Sequence, residues 1–337
     1  HGLPDFAQEN PAVSKFLINN AKWWLDQVKP DGFRLDAVKH VPLNFWADYN
    51  QNLQKYAATN FLLLGELLDG NSLNCANTLK QGKFNSLFDF PLHYVIKRII
   101  ANESTAEQLG VLFHKDKKYP NPNMLATLLD NHDLDRFFTS LNNNKERFKL
   151  ALSLLFTVRG IPSIYYGTES GLKGYIKDTT NRSDMLFNPK HDFYKHIQKL
   201  AKLRTNSTAL TTGKQIHLFQ NSKIYAFARV SKEELAIVVF NNNSKKEKIN
   251  FPLSILANHI EVKTAQNTTK QFKAVIKNNK FCLDIPKKSC LIFFFPTNCK
   301  KGYSKLLARY KEYQKKPKKV SVKFNLKLDG AKQRVYV

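Results

Sequence analysis

Three carboxylates stand at the ends of apolar runs: Asp36 in "GFRLDAVKH" (Gly32–His40), Glu66 in "NFLLLGELLDG" and Asp133 in "LLDNHD". In the first stretch Phe33, Leu35 and Ala37 alternate with Arg34 and Asp36. Both charged side chains therefore leave the same face of an extended segment, two residues apart. The guanidinium favours the ionised form of Asp36, which suits a nucleophile. Glu66 follows Leu62-Leu63-Leu64-Gly65, and a carboxyl in apolar surroundings has its pKa raised, which suits a general acid. Two carboxyls with opposed perturbations on adjacent strands form the pattern of a retaining glycosidase, which holds them about 5–5.5 Å apart. Asp133 would stabilise positive charge developing on a sugar ring, and a neutral His132 would hydrogen-bond sugar hydroxyls. Taken singly, an Arg and an Asp near a strand end make an ordinary salt bridge. It is the ordered occurrence of all three carboxylates on successive strands that points to a site.

The elements that must position these groups alternate. "NPAVSKFLINNAKWWLDQVKPDG" offers Asn10 as N-cap and Pro11 as first helical residue. Val13, Phe16, Leu17, Trp24, Leu25 and Val28 recur at helical spacing until Pro30 and Gly32 stop the helix. Strands are predicted at 32–38, 61–67 and 86–90, in "MLATLLDNHD", and in "GIPSIYYGTE". Helices are predicted around 45–58, 92–101, 105–114, up to about 158, and 193–204. Near-continuous apolar strands alternating with helices predict a parallel sheet buried on both faces. In a parallel barrel, catalytic groups lie at the C-terminal strand ends, where these three carboxylates fall. From about 211 to 296 the texture changes to short β-type runs such as "KIYAFARV", "ELAIVVFNNN", "KFCLDI" and "SCLIFFFP", predicting a separate antiparallel β-sandwich.

The chain has 337 residues and a net charge of +26, from 53 basic and 27 acidic side chains. That length accommodates one large domain and a smaller one. A basic excess can serve nucleic acid, but here Lys far outnumbers Arg and no recognition motif accompanies it, so no nucleic-acid partner is expected. The exception is the tail: from Lys300 onward there are 13 Lys or Arg against Glu312 and Asp329. Within it "YKEYQKKPKK" reads as an extended, self-repelling linker with little aromatic interleaving. No apolar run is long enough to span a membrane. Cys75, Cys282, Cys290 and Cys299 lack metal-type spacing, and three of them lie close enough in sequence for a bridge whose connectivity stays open.

The stretches "LPDF" (Leu3–Phe6), "GFRLDAVKH", "GELLDG" and "LLDNHD" together resemble the ordered motifs of the alpha-amylase superfamily of glycoside hydrolases. "RGIPSIYYGTE" (Arg159–Glu169) resembles that family's eighth barrel strand, and "NRSDM" (Asn181–Met185) what commonly follows it. The similarity covers most of residues 3–205. It implies an α/β fold, a TIM (β/α)8 barrel followed by an antiparallel β-sandwich, with this chain carrying barrel strands four to eight. The domains expected are the second part of the catalytic barrel at 1–205, the C-terminal sandwich at 206–297, and at 298–337 a basic linker leading into the first strands of a starch-binding module. By motif matching Asp36 is the nucleophile, Glu66 the general acid/base and Asp133 the transition-state stabiliser, with Arg34 and His132 as supporting groups. Lys39 and His40 match positions lining the sites for the leaving or accepting glucan. Asp178 and Arg182 match a pair that binds a glucan unit on the non-reducing side. Asp5 and the backbone carbonyl of His40 match ligands of a structural calcium.

Within the superfamily "DAVKHVP" and "DNHDLDRF" most resemble bacterial-type alpha-amylases, maltogenic amylases and cyclodextrin glucanotransferases. The expected activity is hydrolysis of α-1,4-glucosidic bonds in starch, glycogen or maltodextrins, with cyclodextrin-glucanotransferase-type transglycosylation as the alternative. A non-catalytic amylase-like binding protein is a third reading, disfavoured because such proteins lose the carboxylates. The family's motif at the end of its third strand has no counterpart here, so residues 1–337 alone are expected to be inactive or poorly folded while a longer parent is active. Secretion or a periplasmic location is what the resemblance most often implies.

Overall fold

The structure is a computed structural model and describes residues 5–57, 61–253, 256 and 264–296. The basic tail with its proposed starch-binding strands, Leu3 and Pro4, and Cys299 lie outside the described residues.

The first part alternates helix and strand. Helix α1 (Pro11–Val28) is followed by β1 (Gly32–Leu35), α2 (Leu43–Ala57), β2 (Leu62–Gly65), α3 (Ser72–Gln81), β3 (Ser86–Leu87), α4 (Phe90–Ala101) and α5 (Glu107–His114). Then come β4 (Ala126–Leu128), α6 (Phe137–Ser140), α7 (Lys145–Thr157), β5 (Ile161–Ser163), α8 (Asp192–Thr205) and the short α9 (Thr208–Thr211). The α1 start follows its sequence signals: the Asn10 side chain accepts from the Ala12 N–H at 2.9 Å, and Pro11 opens the helix. Strands β1, β2 and β3 pair in parallel, as do β4 and β5. A parallel bridge between Phe88 and Ala126, with the Asp89 N–H donating to the Ala126 carbonyl at 2.8 Å, joins the two groups in the order β1-β2-β3-β4-β5. Among the described residues the outer edges of β1 and β5 have no strand partner.

The strands are shorter than their apolar runs. Strand β1 ends at Leu35 rather than Val38, because Ala37 takes a left-handed conformation (φ 49°) and turns the chain into the 3-10 turn Val38–His40. Helix α1 seats a different stripe from the one its large residues suggest. Ile18, Ala21 and Leu25 are buried, the latter two in a core with Leu35, Val38, Trp46 and Leu53. Phe16, Trp24 and Val28 are 64%, 48% and 61% exposed. The helix carries two apolar faces, and α2 and β1 cover only the narrower one.

The second part begins at β6 (Lys214–Gln220) and continues through β7 (Ile224–Val230), β8 (Glu234–Asn241), β9 (Glu247–Pro252), β10 (Thr264–Gln266), β11 (Lys273–Lys277), β12 (Lys280–Ile285) and β13 (Ser289–Pro296). It forms two four-stranded antiparallel sheets, β13-β8-β7-β6 and β10-β11-β12-β9. It is not separate from the first part. Ile224, Ala226, Ala228 and Val230 face the core between the two sheets, while Tyr225 and Phe227 join the core of helices α4, α5 and α7. A strand buried on both faces reads as one continuous apolar run, which is how β7 and β8 appear in sequence. Arg229 completes this interface, fully buried, with its Nη1 donating to the Thr157 carbonyl at 3.1 Å and its Nε to that of Gly213 at 3.2 Å. Cys75, Cys282 and Cys290 are free thiols.

Candidate active site

Asp36 and Glu66 follow directly on β1 and β2, which pair in register with Arg34 opposite Leu64 and Leu35 opposite Gly65. The backbone ladder runs on past the strand ends: the Glu66 N–H donates to the Leu35 carbonyl at 2.8 Å and the Val38 N–H to the Glu66 carbonyl at 3.1 Å. Those bonds hold the two carboxylates side by side. Arg34 bridges them, with Nη1 on Asp36 Oδ1 and Nη2 on Glu66 Oε2 at 2.5 Å. The pair is asymmetric in exposure: the Asp36 side chain is 72% exposed and that of Glu66 only 12%. Burial, the largest influence, pushes the Glu66 carboxyl above the usual carboxylate range. The Arg34 contact pulls it back and the Asp36 charge pushes it further up. Arg34 is itself held more firmly protonated, since its two carboxylate partners outweigh the burial that disfavours its charge.

Asp133 lies five residues beyond β4, at the same end of the parallel sheet. Its Oδ2 is 3.0 Å from His132 Nε2 and its Oδ1 accepts from Arg182 Nη2 at 2.9 Å. Among the described residues no hydrogen bond or ion pair joins Asp133 to Asp36 or Glu66, so the structure places these groups as two clusters at one end of the sheet. Lys39 and His40 are exposed on the 3-10 turn just past Asp36. Asp178 and Arg182 do not pair with each other. Asp178 Oδ1 accepts from the Thr180 hydroxyl at 2.6 Å and its N–H at 3.1 Å, which lowers the Asp178 pKa, while Arg182 turns to Asp133.

Sequence reasoning missed the groups that brace the Asp133 loop. Buried Asp130, the first residue of "DNHD", accepts from the Phe137 N–H at 2.8 Å, and burial pushes its carboxyl up to about 6. Arg136, 1% exposed, donates to the carbonyls of Tyr166 at 2.6 Å and Asn181 at 2.8 Å, and its guanidinium stacks 4.1 Å from the Tyr165 ring centroid. A buried Arg in "DLDRF" facing two Tyr in "IYYG" was the available signal, but long-range pairing of that kind has no sequence period to reveal it.

The resemblance matches Asp5 and the His40 carbonyl to calcium ligands. Asp5 Oδ1 accepts from the Phe6 N–H at 2.7 Å and Gln8 Nε2 at 2.9 Å. Among the described residues no group of three or more His, Cys, Asp or Glu is arranged to hold a metal. Calcium takes six to eight oxygens, more than Asp5 and the His40 carbonyl supply between them.

A parallel α/β sheet with carboxylates beyond its C-terminal strand ends has the arrangement in which barrel enzymes build their active sites. The family described as "Alpha amylase, catalytic domain" matches residues 1–191, and the chain belongs to this family. It is 34% identical over 249 residues to a Beta/alpha-amylase from Paenibacillus polymyxa, covering 72% of this chain and 20% of that protein. It is 33% identical over 250 residues to a cyclomaltodextrin glucanotransferase from Niallia circulans, covering 72% and 34% respectively. In structure it resembles an Anoxybacillus alpha-amylase with a TM-score of 0.79 at 31% identity, over 88% of this chain and 66% of that one. The family match and this structural likeness give the chain a TIM-barrel-type catalytic domain with a β domain. The chain spans well under half the length of the two sequence relatives.

Proposed function

We propose that the protein is an α-glucan-active glycoside hydrolase that cleaves α-1,4-glucosidic bonds with retention of configuration. The observation that carries the reading is the Arg34 bridge between an exposed Asp36 and a partly buried Glu66 on adjacent strand ends. Glu66, whose carboxyl burial pushes above the usual carboxylate range, in its protonated form donates its proton to the leaving glycosidic oxygen as the bond to C1 breaks. Asp36, kept company by a guanidinium, attacks C1 and forms a glycosyl ester. Glu66, now ionised, takes a proton from water, which attacks C1 and releases Asp36. Asp133 faces the oxocarbenium-like transition state, with His132 beside it. Transfer to a sugar hydroxyl instead of water is the second reading, favoured by the similarity to a cyclomaltodextrin glucanotransferase. A secreted or periplasmic location, which the family resemblance most often implies, is part of the same proposal, and cell fractionation tests it.

Proton NMR of maltooligosaccharide cleavage by the intact protein tests the reading. The α-anomer is expected to form first and then mutarotate, and Glu66→Gln is expected to abolish turnover. First appearance of the β-anomer, or full activity in Glu66→Gln, would contradict it.

A further inference from the structure

Asn181 is fully buried in a loop whose neighbours Thr180, Arg182 and Ser183 are exposed. Its side-chain amide donates to the carbonyls of His132 at 2.8 Å and Leu134 at 3.0 Å. Arg182 reaches the same stretch, with Nε on the His132 carbonyl at 3.0 Å and Nη2 on Asp133 Oδ1 at 2.9 Å. Two consecutive residues thus aim their donors at three consecutive residues some fifty positions earlier, and one of those three is Asp133. The other Asp133 oxygen faces His132 Nε2, so both oxygens of the carboxylate are held.

The bracket is itself seated on a glycine. Gly174 has φ 156°, and a Cβ there would lie 2.4 Å from the Thr180 carbonyl carbon and 2.5 Å from the Asn181 nitrogen. No side chain fits between the bracket and the backbone beneath it. Asp178, matched by resemblance with Arg182 as a pair that binds a remote sugar, accepts from the Thr180 hydroxyl at 2.6 Å.

We propose that Asn181 and Arg182 are positioning residues for Asp133. Asn181 fixes the backbone that carries it, and Arg182 sets the orientation of its carboxylate while keeping a cation beside it. Charge-assisted bonds to both oxygens leave the carboxylate little rotational freedom. Such preorganisation matters where charge develops in the transition state. The inference rests on the proposed role of Asp133 and adds to it a second pair of residues acting through that group.

A substrate too short to reach a remote subsite separates positioning from sugar binding. α-Glucosyl fluoride offers a single glucose unit, and maltoheptaose occupies an extended site. In the intact protein Arg182→Ala is expected to lower kcat on both substrates by the same factor, about tenfold to a hundredfold, with KM for maltoheptaose little changed. Arg182→Lys, which restores the cation without the fork, is expected to recover part of the loss. Arg182 is half exposed, so both variants should fold, and an unchanged melting temperature confirms it. Unchanged kcat on α-glucosyl fluoride with a raised KM for maltoheptaose would overturn the inference and leave the glycosidase reading standing. Lack of activity on either substrate in the unaltered protein would overturn both together.

Discussion

At the scale of single residues the account turns on one guanidinium. Arg34 touches both Asp36 and Glu66, and its two contacts pull in opposite chemical directions. Beside Asp36 a cation serves a group that must be ionised to attack. Beside Glu66 the same cation works against a group that must be protonated, and burial keeps the net direction upward. Replacing Arg34 by Gln removes the downward pull, so the Glu66 pKa should rise further. A general acid is active below its pKa, so the alkaline limb of kcat/KM should move to higher pH even as the rate falls. A pH–rate profile of Arg34→Gln in the intact protein checks this, and a limb that stays put or moves down would count against the assignment of Glu66 as the acid. The identities of Arg34, Asp36 and Glu66 were legible in the sequence because they ride on a period-two strand and an apolar run. Where Arg182 points was not legible, since the resemblance related it to Asp178 and the fold relates it to Asp133.

At the scale of elements, strands and helices were readable wherever a local period existed, and their ends were not. Strand β1 stops at Leu35 because Ala37 takes φ 49°, a conformation that alanine does not advertise. The stripe that α1 buries was not legible, because its largest apolar residues lie on the face that the described residues leave uncovered. Helix α4 supplies a test of packing chemistry. His93 is 3% exposed between the helix layer and the sheet, and burial, with the nearby Lys97 charge, lowers its pKa to about 4, the Leu129 carbonyl partly opposing. Its ordinary value is 6.5. Between those values the unfolded chain binds a proton that the folded chain refuses, so this contribution to stability is complete above pH 6.5 and is lost as pH falls toward 4. Asp130, raised to about 6, acts in the opposite sense, because the folded chain binds its proton first as pH falls. The clean observable is therefore a difference between proteins. From pH 7 to pH 4.5 the stability advantage of the unaltered protein over His93→Gln should shrink by roughly 2–3 kcal/mol. Urea unfolding of both at each pH measures it, and a constant gap would show that His93 titrates normally.

At the scale of the whole molecule, the change of texture near residue 211 correctly announced a β domain but not its attachment. Strands β7 and β8 are apolar on both faces because one face meets the second sheet and the other meets α4, α5 and α7. A sequence shows that both faces are apolar without showing what each one meets. The same ambiguity surrounds Phe16, Trp24 and Val28 on α1 and the open edge of β1, an apolar and hydrogen-bonding surface that none of the described residues covers. The central claim is that Asp36, just past β1, bonds covalently to sugar. A fluorinated glucosyl fluoride, whose glycosyl ester hydrolyses slowly, tests this directly in the intact protein. Trypsin cleaves after Arg34 and Lys39 and releases Leu35–Lys39, a peptide whose one carboxylate side chain is Asp36. Mass spectrometry should find one fluoroglucosyl unit on this peptide and none when Asp36 is replaced by Asn. Label on any other peptide, or turnover without label, would contradict the account.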